Sequence, residues 1–159
     1  GFGTLDKFFV NVNQLEKLET NAKLGMKRVL EETRDMMERD LGAKIAIPTM
    51  QQCLKSGCVK ITDIATLTTK EYPIGDYFEK ANEIVREEAL DSIKDYIAMG
   101  VKYLFITGGT GAAWYQFFKK KLEATGIEVI PGNQNTNLPM IYANARGYYM
   151  YRLNMSKYC

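Results

Sequence analysis

The chain has 159 residues, of which 46% are apolar and 25% charged, with 13 glycines and 4 prolines; this is the profile of an ordinary globular domain, not of a disordered, fibrous or disulfide-knotted chain. At this length folding removes roughly 70% of the unfolded chain's surface, so a core forms without a metal or disulfide staple. With no histidine, Ser-His-Asp and Cys-His nucleophile pairs, His-ligated zinc and proximal-His haem are excluded, and a net charge of +2 lacks the one-sided basicity of a nucleic-acid reader, so no direct DNA or RNA reading is expected.

Thr4 to Val12 reads as a strand or hairpin arm behind the Gly1-Phe2-Gly3 turn. From Asn21 to Leu41, Met26, Val29, Leu30, Met37 and Leu41 fall at helical spacing among charges, and Gly42 stands where a left-handed glycine ends a helix. The short apolar runs Ile45 to Ile47 and Val59 to Ile64, with Pro48, a Ser56-Gly57 turn and Pro73, predict a small strand-rich insertion over 43–74, set into a core of 1–42 and 75–159. Helical periodicity returns with Asp76 as the expected N-cap and continues through Phe78, Ala81, Ile84, Val85, Ala89, Ile93 and Ile97 to Met99, closed by Gly100. A βαβ unit follows: a near-continuous buried strand Val101 to Thr107, a turn Gly108 to Gly111, a helix Ala112 to Ala124 stopped by Gly126, and a strand Ile127 to Ile130. The polar loop Gly132 to Asn137 leads to Pro139 in the first turn of a last helix, to about Leu153.

Two glycine turns carry candidate chemistry. Thr107-Gly108-Gly109-Thr110-Gly111 lies between a strand and a helix, at the carboxyl edge where open α/β sheets bind ligands. Backbone without Cβ atoms admits a ribose or phosphate closely, and the helix start offers N–H groups and partial positive charge. Gly1, Gly3 and Thr4 form a second turn able to present N–H groups and a hydroxyl to phosphate oxygens. Read singly, each turn has a purely structural alternative, a strand-to-helix turn or a hairpin turn.

In this order, about a hundred residues apart and flanking helix, insertion and helix, the turns resemble the second half of the actin-like ATPase fold. There a hairpin Asp-x-Gly-x-Gly-Thr grips the β- and γ-phosphates, which Gly1, Gly3 and Thr4 match, and a later strand-Gly-Gly-helix turn holds the adenosine, which Gly108, Gly109, Thr110 and Gly111 match. Gly25 sits where the family often places a glycine near the ribose. The segment from Pro139 to Met150, with its Asn-Ala-Arg-Gly-Tyr-Tyr core, resembles the closing helix of plasmid-segregation actins of the ParM (StbA) type.

The resemblance implies an α/β fold, a ribonuclease H-like actin-type ATPase lobe with a mixed sheet flanked by helices and a small inserted subdomain. It implies ATP or ADP with Mg²⁺, head-to-tail filaments of the whole protein, and an adaptor protein of a plasmid partition complex. The aspartate before Gly1, the first phosphate loop and the catalytic polar groups of the family lie outside these 159 residues, so the chain is expected to be a fragment or processed piece without hydrolysis of its own, with Gly1 read either as a native residue or as a tag remnant. Alternatives are a lobe of a sugar or acetate kinase or of a chaperone ATPase of the same superfamily, or a non-catalytic α/β interaction module with structural glycine turns.

Other features have plainer readings. Cys53-x4-Cys58 lacks the further ligands of a zinc site, so no metal is expected there. Three sparse cysteines suit a reducing cytoplasm, and neither a signal peptide nor a membrane span is legible. Lys119 to Lys121 and the acidic and basic residues of 31–40 read as solvated helix faces. Trp114, Tyr142, Tyr148, Tyr149 and Tyr151 read as core or interface residues.

Overall fold

The structure, a computed structural model, describes residues 3–11, 14–134 and 136–155. The chain divides into two compact units, one holding Lys7–Leu18 with Leu90–Cys159 and the other Gly3–Asp6 with Glu19–Ala89. The segment 43–74 lies wholly within the second. Among the described residues six strands form three two-stranded sheets, β1 (Leu5–Asn11) with β2 (Gln14–Asn21), β3 (Cys58–Asp63) with β4 (Thr68–Pro73), and β5 (Tyr103–Ile106) with β6 (Glu128–Pro131). The expected strand Thr4 to Val12 is β1, with Val12 outside the described residues.

In the second unit, helix α1 (Met26–Leu41) opens after Gly25 and ends as the spacing predicts. Gly42 adopts φ 66° and its N–H donates to the Glu38 carbonyl at 2.9 Å. Helix α2 (Ile47–Ser56) replaces the strand expected around Ile45 to Ile47. Pro48 stands in its first turn, where the missing N–H costs nothing and the fixed φ favours helix, so the proline starts an element here. Strands β3 and β4 pair antiparallel from Cys58 opposite Pro73 to Asp63 opposite Thr68. Leu30, Met37, Ile45, Met50, Cys53, Val59 and Ile74 form one buried cluster, against which Leu41, Ile61, Tyr72, Tyr77 and Phe78 pack.

The link after α1 is held by one carboxylate. Glu38 accepts the Ile45 backbone N–H at 2.6 Å and pairs with Lys44 at 3.2 Å, which together hold its pKa below the ordinary glutamate value. A lowered folded-state pKa adds stability above the unfolded value, about 4.3, and loses it as pH falls through the folded value. Glu38→Gln should therefore melt earlier than the parent at neutral pH, and the gap should close as pH falls below about 4; thermal unfolding across that range checks it.

The long helix expected from Asp76 to Met99 is two. Helix α3 (Gly75–Asp91) already includes Asp76 in its first turn, so Asp76 is not the N-cap. At Ser92–Ile93 the chain tightens, with the Ile93 N–H bonded to the Leu90 carbonyl three residues back, and α4 (Lys94–Ala98) resumes. Gly100 closes it at φ 84°. In the first unit, Lys7 Nζ donates to the Ser92 carbonyl at 2.9 Å and the Phe9 and Tyr96 rings lie 5.5 Å apart, seating β1 on this bend. Helix α5 (Gly108–Leu122) buries Trp114, Phe118 and Leu122 along one face. Helix α6 (Ala143–Met155) follows a 3-10 turn at Met140–Tyr142.

Candidate functional site

The β5–α5–β6 unit sets the geometry. The two strands run parallel, in register from Tyr103 opposite Glu128 to Ile106 opposite Pro131, so both deliver their carboxyl ends to one edge. A parallel pair needs a crossover, and α5 supplies it. Thr107 is extended, and Gly108 then turns the chain at φ 82°, a left-handed conformation that a side chain resists. The expected free turn Gly108 to Gly111 is instead the first turn of α5, because Gly108 alone makes the reversal. No side chain caps this helix start, so its leading N–H groups and positive dipole end are left to other partners.

The glycines divide by what their missing side chains accommodate. A Cβ at Gly109 would meet nothing within 4 Å, leaving open space over the uncapped turn. A Cβ at Gly111 would stand 2.7 Å from Ile106 Cγ2, so this glycine lets α5 lie directly on β5. Gly132, which sequence reasoning left in a polar loop, donates its N–H to the Ile106 carbonyl at 2.7 Å, and a Cβ there would strike the Thr107 methyl. The segment after β6 thus continues beside the end of β5 at backbone contact. It is fixed by Gln134 N–H to the Pro131 carbonyl at 2.9 Å and by Asn133 Nδ2 to the Leu138 carbonyl at 2.9 Å, and the following Met140–Tyr142 turn packs on α5.

The remaining predicted residues are placed as follows. Gly1 lies outside the described residues; Gly3 is in a bend and Thr4 in an irregular stretch. The Thr4 hydroxyl donates to Asp6 Oδ2 at 3.3 Å, while Thr20 donates to Asp6 Oδ1 at 2.8 Å, so Asp6 organises this turn. Gly25 is buried in extended backbone, and its carbonyl accepts the Arg28 and Val29 N–H groups that open α1, again with no side-chain cap. Gly3, Thr4 and Gly25 fall in one compact unit, Gly108 to Gly111 in the other.

Exposure corrects one expectation and narrows another. Val101 to Thr107 is not a buried strand: Tyr103 and Phe105 are exposed and only Ile106 is buried. Of the residues expected in core or interface, Trp114 is core, whereas Tyr142, Tyr148, Tyr149 and Tyr151 are exposed and so belong to no core of this chain. Among the described residues no group of three or more Cys, Asp or Glu could hold a metal ion, and no helix is long and apolar enough to cross a membrane.

No family model matches the sequence, and neither does any curated protein. Among solved structures, the chain is similar to MreB 5 of Spiroplasma citri bound to AMPPNP, with a TM-score of 0.64 over 98% of this chain at 12% identity. The fold is that of an actin-like lobe. The chain spans about half of the solved chain it matches, covering 51% of it. In the lobe, the strand–Gly–Gly–helix turn occupies the carboxyl edge of a parallel strand pair, as open α/β sheets place their ligand crevices.

Proposed function

We propose that the chain is the ATP-binding lobe of a prokaryotic actin-like, filament-forming ATPase of the plasmid-segregation type, working in the cytoplasm with an adaptor protein of a partition complex. The observation that carries the reading is the open, uncapped turn at Gly108–Thr110 in a fold shared with a protein solved with an ATP analogue. Gly108, Gly109 and Thr110 receive the nucleoside, with the bare backbone at Gly109 admitting close approach. Gly111 serves the same turn by seating α5 on β5. The motif resemblance assigns Gly1, Gly3 and Thr4 to the phosphates and Gly25 to the ribose side, with Mg²⁺ accompanying the nucleotide. The segregation assignment rests on the Asn-Ala-Arg-Gly-Tyr-Tyr core of residues 144–149.

Catalysis of phosphoryl transfer is positioning and charge stabilisation, and the groups for it belong to the other half of the fold. Titration with ATP and Mg²⁺ should therefore raise the unfolding midpoint of the full-length protein, while the 159-residue chain shows no ATP turnover above background. A protein unmoved by saturating nucleotide is an interaction module, and turnover by this chain alone would put the active site elsewhere.

Self-association is the second part of the proposal. Heterologous contacts join two different surfaces and propagate without closing. The β3–β4 tip presents Ile64 and Leu67 at 88% and 81% exposure. Asp63 shapes that tip by accepting the Ala65 and Thr66 N–H groups, and Leu67 is held at φ 52°, unusual for a branched residue. Replacing both Ile64 and Leu67 by Ser should raise the critical concentration for ATP-dependent assembly about fivefold, equivalent to about 1 kcal/mol, with nucleotide affinity unchanged. Light scattering and negative-stain microscopy of the full-length protein read the first, calorimetric titration the second.

A further inference from the structure

The β1–β2 hairpin has two chemically opposite faces. Successive side chains of a strand alternate between faces, and along β1 Leu5, Lys7 and Phe9 are half-buried while Asp6, Phe8 and Val10 are exposed. The Phe9 and Tyr96 ring centres lie 5.5 Å apart, and the ammonium groups of Lys7 and Lys17 stand 5.5 and 5.3 Å from the Tyr96 ring centre, so this inner face takes both lysines of the hairpin. The Thr20 hydroxyl donates to Asp6 at 2.8 Å, which puts Thr20, and by alternation Leu18 and Glu16, on the outer face. That face is an apolar strip between two carboxylates, with Phe8, Val10 and Leu18 each more than half exposed. Both carboxylates are held in place, Asp6 by the Thr4 and Thr20 hydroxyls and Glu16 by the Asn11 side-chain amide at 2.9 Å. The sequence puts no cation on it.

Helix α6 has the complementary inventory. Every residue from Asn144 to Asn154 is exposed, and from Val129 to Cys159 the sequence contains no acidic residue. Arg146, Tyr149 and Arg152 recur at three-residue spacing, with Leu153 four residues beyond Tyr149, so one helix face carries an aromatic and an aliphatic side chain between two guanidinium groups. The lengths match as well: thirteen residues of helix span about 20 Å, and strands of seven and eight residues about 25 Å. Both surfaces are exposed at once in the same chain, and an apolar strip on a two-stranded sheet is a surface that a partner covers.

We propose that the partner is a second copy of this chain, with α6 of one copy lying on the outer face of the β1–β2 hairpin of the next. Tyr149 and Leu153 cover Phe8, Val10 and Leu18, while Arg146 and Arg152 meet Asp6 and Glu16. Like surfaces do not pair, because helix on helix opposes guanidinium to guanidinium and hairpin on hairpin opposes carboxylate to carboxylate. The contact is therefore heterologous, and each copy engages two others. It rests on the self-association proposed above and names two surfaces for it.

The test is a charge swap in the full-length protein, read as the critical concentration for ATP-dependent assembly. Glu16→Lys should raise that concentration about fivefold and Phe8→Ser about tenfold, with nucleotide affinity and the unfolding midpoint unchanged. Adding Arg146→Glu or Arg152→Glu to Glu16→Lys should bring it back to within about twofold of the parent, since every copy then carries the reversed pair, and the arginine that rescues fixes the direction in which the helix lies. Rescue by neither arginine overturns the proposal, as does a Glu16→Lys protein that assembles like the parent. If Glu16→Lys lowers the unfolding midpoint and leaves assembly unchanged, the hairpin face is covered within one chain and the proposal is again overturned. A full-length protein that never assembles removes the self-association reading together with this contact. Assembly impaired by the Ile64 and Leu67 replacements but not by Glu16→Lys removes this contact alone.

Discussion

Gly109→Val should lower the affinity of the full-length protein for ATP about a hundredfold, or about 2.7 kcal/mol, while leaving far-UV circular dichroism and the unfolding midpoint of the nucleotide-free protein nearly unchanged. The separation of the two effects is what gives the variant its force. Beyond its own helix backbone and chain neighbours nothing lies within 4 Å of a Cβ at this position, so the new isopropyl group would displace the proposed nucleotide and not disturb the fold. Its neighbours would mislead. At Gly108 any side chain is strained by φ 82°, and at Gly111 it collides with Ile106, so a loss of binding there would report unfolding as readily as lost contact. Gly109→Ala should fall between wild type and Val, because one methyl group closes part of the space. Isothermal titration with ATP and Mg²⁺ reads all three, and equal affinities for Gly109→Val and wild type would reduce this turn to a structural one.

The same residues show where sequence reasoning reached and where it stopped. Helix α1 was legible because an apolar face and a C-terminal glycine agree, and the structure places both Leu30 and Gly42 as that pattern requires. Helix α2 was not, since Ile45-Ala46-Ile47 has the β-branched character of a strand and Pro48 reads as a breaker unless the helix is already known to begin there. The break between α3 and α4 carries no proline or glycine; apolar spacing continues through Ile93 and Ile97, and only the hydrogen bond from Ile93 back to Leu90 reveals the bend. The strand-to-helix turn at Gly108 and Gly109 was legible because a strand, a glycine pair and a helix follow one another along the chain. Gly132 was not. Its constraint comes from Ile106 and Thr107, which lie some twenty-five residues earlier, and a close approach across that distance leaves no local pattern. Exposure along β5 failed for a related reason: a continuous apolar run implies two covered faces only when a sheet has neighbours on both sides, and β5 pairs with β6 alone among the described strands.

Trp114→Ala should cost the protein about 3 to 5 kcal/mol and lower its unfolding midpoint by roughly 6 to 20 °C, a large part of the stability of a domain this size. Trp114 is 2% exposed and among the largest fully buried side chains. It lies one turn beyond Gly111 on the face of α5 that continues through Phe118 and Leu122, so it continues the seating of the helix that Gly111 begins on Ile106. Truncation to a methyl leaves a cavity that Gly111 cannot help fill, having no side chain, and the helix loses its fixed height over β5. The consequence reaches the site by geometry alone: the N–H groups of Gly109 and Thr110 are aimed by the axis of α5, so a loosened helix aims them poorly. Trp114→Phe keeps most of the buried area and should recover more than half of both the stability and the ATP affinity, whereas Gly109→Val impairs only the second. Urea unfolding and ATP titration of the three variants together separate the packing role of Trp114 from the approach role of Gly109; a Trp114→Ala protein as stable as wild type would show that α5 is held by something other than this face.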